Sequence, residues 1–507
     1  MGHRSLFWGA AVLLLTNTFA RLLGFGYRVI LVRLLGTEGI GLTEMVTPLY
    51  SFCLVIAGWG IPLAMSRYIA SEMAKKQYGN VDRIKKCSML ILSTSGLFIT
   101  IFSWLFAPWL VNNFSTDPRI LLCFRWLTPA IFIVAVCSGY RAYFQGIKKI
   151  TIIGFSQNVE QIVRVSIGVS LAMLLLPKGT EIAIIAVSLG TVAGELAGLL
   201  YIKYCYYRHQ KRRPAIIPQA MPANISYQQI GQSLITYGTP ITMQRFLASL
   251  LLMLQAWLIP MGLQQAGYTG AAATELYGRF AGVALSLVSL PGVFSATMSF
   301  ALLPAIAECE INSNQLAHRI NTSLSISTAI SLPASLCLFL YGNYLCQWLF
   351  KCPEAAEPLK ILALGGIFIY SHAPITSILQ GLGKVKILFI NLLISGGVFI
   401  AGLIILVPQP GLGIRGAAVA ILASNIVNCF ANLYQLRLFS GKPLNWGKII
   451  VKPLFALLGA IGALLITKEI FTFLPLNQTI AAVSAIVVMI STYLIILRPK
   501  FSYLLLK

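Results

Sequence analysis

The sequence predicts an all-α integral membrane protein, and two observations carry this prediction. Hydrophobic residues make up 57% of the 507 residues and charged residues only 10%, whereas a soluble domain has about 25% charged residues. The apolar residues form about fourteen stretches, most of them the roughly 20 residues that a helix needs to cross a bilayer. The polar residues between them are too few for a further domain, so we expect the function to reside within the membrane.

The predicted spans follow one another with short loops between them. The first seven are placed at residues 6–34, 42–70, 87–112, 120–145, 152–176, 181–206 and 229–259, and the others at 273–305, 319–341, 358–382, 386–407, 413–438, 448–470 and 476–497. The first, second, seventh and eighth are longer than one span requires, which indicates tilt, bending or extension beyond the bilayer. Prolines such as Pro62, Pro129 and Pro240 lie within or near the ends of spans, where they favour kinks.

The net charge of +24 reflects topology, because the basic residues are concentrated in alternate loops. One set of loops contains Lys75, Lys76, Arg83, Lys85, Lys86, Lys148, Lys149, Arg208, Lys211, Arg212, Arg213, Lys384, Lys386, Lys442 and Lys448. The loops 36–41 and 260–270 contain one acid and no charge, respectively. The excess of lysine and arginine marks the cytoplasmic side. Both termini are therefore predicted to be cytoplasmic in a bacterial cytoplasmic membrane, consistent with Arg498, Lys500 and Lys507 near the end.

A weak internal repeat indicates two pseudo-symmetric lobes. Tyr143-Phe144-Gln145-Gly146 precedes a pair of lysines, and Ile378-Leu379-Gln380-Gly381 lies 235 residues later before another pair. With about six helices between the two copies, we predict two six-helix lobes of the same orientation and two additional C-terminal helices. The predicted boundaries are 1–228, 229–439 and 440–507. Parallel repeats of this kind place a substrate site between the halves, near the middle of the membrane.

Several arginines fall inside the predicted spans and not at their ends. They are Arg21, Arg28, Arg164, Arg245 and Arg279. A charge at bilayer depth costs from roughly 3 to above 10 kcal/mol, so such residues usually face a water-filled cavity or a partner. The pattern is typical of a carrier with a cavity for an anion.

Arg21 and Arg28 in the first span are the strongest candidates for binding that anion. Seven residues are nearly two helical turns, so both side chains leave the same side of the helix about 10 Å apart along its axis. Arginine forms bidentate pairs with phosphate oxygens, and the two together fit a diphosphate or a phosphate and a sugar. The alternative for Arg28 is that its side chain reaches the outer interface. Arg245 and Arg279 are further candidates for lining the cavity.

The fifth span has a polar stripe of four residues. Gln157, Glu160, Gln161 and Arg164 share one face of an otherwise apolar helix. Glu160 and Arg164 have the favourable order for a pair one turn apart, with the acid first. The stripe is either a wall of the cavity or a self-neutralised structural pair. Glu195 in the sixth span is read as an isolated polar group.

No motif for catalysis or for a cofactor is found in the sequence. There is no G-x-x-x-x-G-K-[ST] phosphate-binding loop and no C-x-x-C, and no acidic pair of the kind that metal-dependent glycosyltransferases need lies in a cytoplasmic loop. We predict that the protein is not an enzyme and holds no cofactor or metal. Transport energy must then come from an ion gradient, the membrane potential or the substrate's own gradient. No nucleic-acid-binding motif accompanies the basic charge, so nucleic acid is excluded as a partner.

Several motifs resemble the stage V sporulation protein B family of the multidrug/oligosaccharidyl-lipid/polysaccharide exporter superfamily. They are the stretches 21–25 (RLLGF), 34–41 (LLGTEGIG), 143–146 (YFQG), 156–165 (SQNVEQIVRV) and 380–384 (QGLGK). The resemblance extends over essentially the whole chain. It implies fourteen helices in two lobes that form a V, alternating access, and a lipid-linked sugar as substrate.

The resemblance also implies roles for individual residues. Lipid II flippases of the superfamily use cavity arginines on the first and eighth helices. Arg21 matches the first of these closely, Arg28 lies one residue later than the second in that pattern, and Arg279 follows Tyr277 as the eighth-helix arginine follows its tyrosine. Some superfamily members bind sodium through acids on the seventh and eleventh helices, but the eleventh predicted span here has no acid.

We therefore expect a flippase that moves an undecaprenyl-diphosphate-linked cell-wall precursor similar to lipid II, as the resemblance implies, for spore cortex peptidoglycan. The expected partners are the lipid-linked oligosaccharide, membrane lipids and wall-synthesis enzymes. Alternatives are an exporter of teichoic or capsular lipid-linked units, a membrane scaffold for wall-synthesis enzymes, an exporter of cationic drugs, and an enzyme acting on lipid-linked sugars. Arginines in place of cavity acids argue against the drug exporter.

Overall fold

The structure, a computed structural model, is helical throughout most of its length. It describes residues 3–211, 225–307, 313–441, 443–472 and 478–497, and these residues contain no β-strand. The predicted all-α class is confirmed. Part of the basic loop used for the orientation (212–224), together with Lys442, Arg498, Lys500 and Lys507, lies outside the described residues.

The chain divides into two compact units. The first comprises Met1–Gln264 and Tyr268–Gly278, and the second comprises Gln265–Gly267 and Arg279–Lys507. The helices of the first unit are α1 (His3–Gly58), α2 (Ile61–Ala74), α3 (Tyr78–Leu105), α4 (Ala107–Phe114), α5 (Ile120–Leu127), α6 (Pro129–Gly146), α7 (Ile150–Leu175), α8 (Thr180–Lys211), α9 (Tyr227–Gln265) and α10 (Gly270–Tyr277). The three-part division at residues 228 and 439 stays a prediction.

The second unit begins with a π-helical segment and continues with long helices. After Gly278–Ala284, which is π-helical, come α11 (Leu285–Ala307), α12 (Asn314–Leu345), α13 (Ala356–Leu364), α14 (Gly366–Gly381), α15 (Val385–Leu406), α16 (Ile414–Ser440), α17 (Lys452–Thr472) and α18 (Gln478–Leu497). Shorter π-helical turns lie at Cys346–Phe350 and Gly447–Val451.

Among the described residues, 11 helices are long and apolar enough to cross a membrane, or up to 12 if the bent pair α13–α14 is one span. The predicted count of about fourteen is not confirmed by this criterion. One of the eleven, Thr18–Gly58, has 41 residues, which is about 60 Å and twice the thickness of the hydrocarbon core. Gly36, with φ 71° and ψ 177°, interrupts the helix. This break falls between the first and second predicted spans.

Other predicted spans are also divided into two helices. The third is divided at Phe106, and the fourth is divided between α5 and α6, where Pro129 begins the new helix. The tenth is divided at Gly365, where α13 and α14 are bent by 56°. Proline is well tolerated in the first helical turn because it has no N–H to satisfy. Pro240, in contrast, lies inside α9 without ending it.

The two loops that indicated the repeat have the same backbone conformation. The amide of Lys149 donates to the carbonyl of Phe144, and the amide of Lys384 donates to the carbonyl of Leu379, each at 2.9 Å. These bonds join a residue to one five positions earlier, as in the Schellman motif that ends many helices. This motif needs a residue with positive φ, and Lys148 (60°) and Gly383 (73°) supply it. The local structure of both loops supports the repeat.

Candidate functional site

Arg21 and Arg28 lie on the first arm of α1, before the break at Gly36. Arg21 is exposed, and in the part of the chain that the structure describes it makes no hydrogen bond or ion pair. Arg28 differs, because its Nη2 lies 2.5 Å from Oε1 of Glu44 on the second arm. The structure thus leaves one candidate arginine available and gives the other an internal anion.

The ion pair between Arg28 and Glu44 shows that the chain turns back at Gly36. Each residue is eight positions from Gly36, so a straight helix would separate their Cα atoms by about 24 Å. That distance is beyond the reach of the two side chains together. The two arms of α1 must therefore lie side by side. Tyr277 of α10, only 2% exposed, lies within electrostatic range of both charges.

The second arm of α1 and α10 approach each other closely at two glycines. A Cβ placed on Gly41 would lie 2.1 Å from the carbonyl oxygen of Thr274, and one on Gly278 would lie 1.8 Å from that of Thr37. Side chains cannot be accommodated at either position. The hydroxyl of Thr37 also donates to Oε1 of Glu275 at 3.1 Å. The contact resembles the close packing through small residues that is common between helices in membranes.

The polar stripe of the fifth predicted span is part of a largely buried charge network between α6, α7 and α8. Oε1 of Glu160 lies 2.7 Å from Nη2 of Arg164, and its Oε2 lies 2.7 Å from Nη2 of Arg141. Nη2 of Arg164 lies 2.6 Å from Oε1 of Glu195. Gln161 accepts a longer bond of 3.4 Å from Arg164. Two arginines and two glutamates balance each other, which lowers the cost of holding charge at this depth.

Three glycines of α8 allow this network to form. Gly190, Gly194 and Gly198 are spaced by four residues and face α7. A Cβ on Gly190 would lie 2.6 Å from the Cα of Gly168, and a Cβ on Gly194 would lie 2.7 Å from the carbonyl oxygen of Glu160. The resulting short distance between the backbones lets Glu195 reach Arg164.

The structure brings together only part of the predicted stripe and reveals two members that sequence reasoning missed. Gln157 makes no hydrogen bond within the described ranges. Arg141 was not considered, and Glu195 was read as isolated. Both had a usable signal, since a charge inside an apolar span usually faces a partner of opposite sign or a water-filled cavity. Glu44, inside the second predicted span, carried the same signal and was also missed.

Arg245 and Arg279 have different surroundings. Arg245 on α9 is exposed, and no ion pair or hydrogen bond to it is found among the described residues. Arg279 lies in the π-helical segment of the second unit and is partly buried. It is close enough to Cys352 for its charge to act on that thiol. The predicted role of both in substrate binding stays a prediction, as it does for Arg21 and Arg28.

A second cluster of charges is centred on the loop before α5, between two spans of the first unit. Arg119 donates to Asp117 at 2.7 Å and to Glu38 at 2.7 Å, and Asp117 accepts from the hydroxyl of Thr274 at 3.0 Å. Burial acts to raise the pKa of Asp117, but the bonds from Arg119 and Thr274 outweigh it and lower that pKa. The hydrogen bonds to Asp117 and Glu38 in turn raise the pKa of Arg119. The loop before α5 is therefore tied to α1 near its turn at Gly36 and to α10.

The described residues do not suggest a metal site. No group of three or more His, Cys, Asp and Glu side chains that could hold a metal ion occurs among them. On α15, the eleventh predicted span, polar positions carry amides and hydroxyls. Asn391 donates to Asn432 of α16 at 2.8 Å, and Asn428 donates to Ser395 at 3.0 Å. The eleventh predicted span, residues 386–407, contains no acid.

Comparison with known proteins identifies several relatives. Stage V sporulation protein B of Bacillus subtilis is 29% identical over 84% of this chain and 82% of its own length. Lipid II flippase MurJ of the same organism is 26% identical over 76% of this chain and 74% of its own. These relatives confirm the resemblance predicted from the sequence.

A solved structure shares the fold. The structure described as "Lipid II flippase MurJ, inward closed conformation" matches with a TM-score of 0.71 and 14% identity, covering 97% of this chain and 99% of the other. A family model described as "Polysaccharide biosynthesis protein" matches residues 6–310, which is more than half of the chain. The protein is therefore a multi-pass membrane protein that belongs to the polysaccharide biosynthesis protein family.

Proposed function

We propose that this protein is a flippase for a lipid-linked cell-wall precursor, in which the diphosphate of the substrate binds to Arg21 and Arg28. The observation that carries the proposal is an exposed arginine within a membrane span. Arg21 is charged, lies inside an apolar helix and has no partner in the described residues. A charge so placed is costly unless water or an anion compensates it. A transported anion supplies that compensation during the cycle.

The spacing of the two arginines supports a diphosphate in particular. They lie on one side of the first arm of α1, about 10 Å apart along its axis. The two phosphates of a diphosphate are adjacent, so the two long arginine side chains would have to lean toward each other to contact them, and guanidinium groups bind phosphate oxygens bidentately. The undecaprenyl chain would remain in the bilayer while the head group crosses. Arg245 and Arg279 are proposed to contribute further positive charge.

The similarity to known proteins supports the same class of substrate. One relative is named for lipid II translocation and another for stage V of sporulation. We propose that the substrate resembles lipid II and that the protein serves spore cortex synthesis. In this proposal it is a carrier without catalytic residues, it alternates between inward and outward states, and both termini are cytoplasmic. Wall-synthesis enzymes are the proposed partners.

A related candidate is the transport of another lipid-linked glycan, such as a teichoic or capsular unit. The family description supports this candidate, because it names polysaccharide biosynthesis without a particular product. Its substrates carry the same diphosphate, so the arginines would act in the same way. Only the sugar differs.

The test is the accessibility of lipid II at the outer leaflet in cells depleted of other flippases. Expression of the wild-type protein is expected to restore outer-leaflet lipid II, and Arg21→Ala is expected to abolish this while the protein still inserts. Arg415→Ala is the matched control, because Arg415 forms an exposed pair with Glu357. Restoration by Arg21→Ala would contradict the proposed role. Absence of restoration by the wild type, with teichoic or capsular precursors restored instead, would select the related candidate.

A further inference from the structure

The ion pair between Arg28 and Glu44 joins a candidate substrate-binding residue to an internal carboxylate. It lies eight residues, or about 12 Å along each arm, from the turn at Gly36. It is therefore within the membrane and not at the surface. Nothing in the packing of the two arms requires a charge here, since the neighbouring positions Leu31, Val32, Leu42 and Met45 are buried and apolar.

The two partners are not equally accessible. The side chain of Arg28 is 34% exposed, whereas that of Glu44 is 18% exposed. Part of the Arg28 side chain is thus accessible to a ligand, whereas more of the Glu44 side chain is covered by the protein. Glu44 forms an ion pair with the guanidinium group that a phosphate would otherwise bind.

We propose that Glu44 is a specificity-determining residue that prevents singly charged lipid phosphates from occupying Arg28, an inference that rests on the proposed function. Anionic phospholipids far outnumber any lipid-linked precursor in a bacterial membrane, and each carries a phosphate. An arginine site without an internal competitor binds both classes. Discrimination then requires an element that acts against the abundant ligand.

A carboxylate beside the arginine provides such an element. A ligand with one negative charge exchanges one monovalent partner of Arg28 for another, so it gains little Coulomb energy. It also leaves Glu44 buried without its partner, which is costly. A diphosphate places one phosphate on Arg28 and has a second for Arg21. The additional attraction offsets the cost of displacing Glu44, so only the diphosphate binds well.

The experiment compares the affinity of two probes for the purified full-length protein in nanodiscs of neutral lipid. The probes are phosphatidylglycerol, with one phosphate charge, and undecaprenyl diphosphate. Glu44→Gln is expected to bind phosphatidylglycerol at least about tenfold more tightly, because the phosphate then no longer displaces a carboxylate from Arg28, and close charge pairs contribute about tenfold or more to binding. Its preference for the diphosphate falls by a similar factor.

Three variants serve as controls. Glu38→Gln lies on the same arm and removes an acid paired with Arg119, but outside the membrane, so the preference should be unchanged. Glu44→Asp keeps the carboxylate and should retain most of the preference. If Glu44→Gln does not fold, Arg28→Gln combined with Glu44→Gln removes both charges. That neutral pair should lose affinity for the diphosphate without gaining affinity for phosphatidylglycerol.

The outcomes separate this inference from the proposed function. A wild-type protein that binds undecaprenyl diphosphate no better than phosphatidylglycerol would contradict the proposed function itself. A wild-type protein that discriminates, with an unchanged preference in Glu44→Gln, would contradict only the role of Glu44. A gain in affinity for phosphatidylglycerol by the neutral pair would contradict it equally, because Arg28 would then not be the site that Glu44 protects.

Discussion

The helix pair α7–α8 in the first unit and the helix pair α15–α16 in the second lie at corresponding places of the repeat predicted from the sequence, but they differ in chemistry. At the offset of 235 residues, Ser156 and Glu160 of α7 correspond to Asn391 and Ser395 of α15. In the first pair a buried network of arginines and glutamates connects the helices. In the second pair the contacts are hydrogen bonds between amides and hydroxyls.

The difference shows that charge is not needed to hold such a pair together. Amide and hydroxyl contacts connect α15 to α16 without the cost of removing ions from water, and buried ion pairs are often no more stabilising than neutral replacements. We infer that the charges of α7 and α8 serve a role other than stability. Each charge of the network needs its partner, so the network favours one alignment of α6, α7 and α8 relative to one another. Of these helices, α7 packs beside the first arm of α1, which contains Arg21 and Arg28.

The largest expected effect comes from opening the charge network. Glu160→Ala leaves Arg141 and Arg164 with one carboxylate between them. Removing one partner of a buried pair typically costs about 3–5 kcal/mol, so we expect a large fall in the thermal unfolding temperature of the detergent-solubilised protein. Glu357→Ala is the control, and its exposed pair with Arg415 should contribute less than about 1 kcal/mol. Equal falls in unfolding temperature for Glu160→Ala and Glu357→Ala would contradict the expectation that the largely buried network is more costly to break than the exposed pair.

A smaller effect is expected from enlarging the glycines that bring α8 to α7. A methyl group at Gly194 would lie 2.7 Å from the carbonyl oxygen of Glu160, so the helices must separate. Gly194→Ala is expected to destabilise the protein by about 1–3 kcal/mol. Gly397→Ala on α15, where nothing lies within 4 Å of the new Cβ, is the matched control. Unfolding temperatures that fall equally would show that the close approach is not required.

The charge cluster at Asp117 predicts a dependence of stability on pH. Because the pKa of Asp117 is lowered in the folded protein, its stabilising contribution is complete above the ordinary value of about 3.9. It is lost as the pH falls from that value through the lowered one. Asp117→Asn should cost about 1.5 kcal/mol near neutral pH, with the difference from wild type shrinking below about pH 4. A difference that grows on acidification would contradict this sign.

The smallest expected effect comes from the hydrogen bonds between α15 and α16, which involve no charged side chains. Asn391→Leu removes the bond to Asn432 between α15 and α16. Interhelical hydrogen bonds in membranes contribute about 0.6 kcal/mol on average, so the unfolding temperature should change only slightly. A loss as large as that of Glu160→Ala would mean that the two pairs are energetically alike, contrary to the comparison.

Much of the fold follows from patterns that the sequence displays directly. Apolar stretches of membrane length predicted the helices, and Gly36 lies in the predicted loop where α1 breaks. The lysines after residues 146 and 381 marked loops that have the same hydrogen bonds in the structure. These features are local, so a single stretch of sequence contains them. The breaks at Phe106 and Gly365 lack an equally strong local signal and were missed.

The partners of the charges did not follow from the sequence in the same way. The contact between Glu160 and Arg164 is one helical turn long and was anticipated, but the contacts of Arg28 with Glu44 and of Arg164 with Glu195 depend on which helices lie side by side. A charge inside a span indicated only that a partner of opposite sign or a water-filled cavity lies beside it. Its identity depends on the turn at Gly36 and on the glycines of α8, which set the distances between backbones.

In the proposed function, Arg21 in the first span binds the diphosphate while the protein moves the lipid-linked sugar across the membrane. The most direct measurement is translocation of a fluorescent undecaprenyl-diphosphate-linked sugar in proteoliposomes containing only the purified protein, with wild type and Arg21→Ala compared at equal reconstitution. We expect protein-dependent translocation by the wild type and its loss, to the level of empty liposomes, in Arg21→Ala. Translocation that is equal in both would contradict the claim.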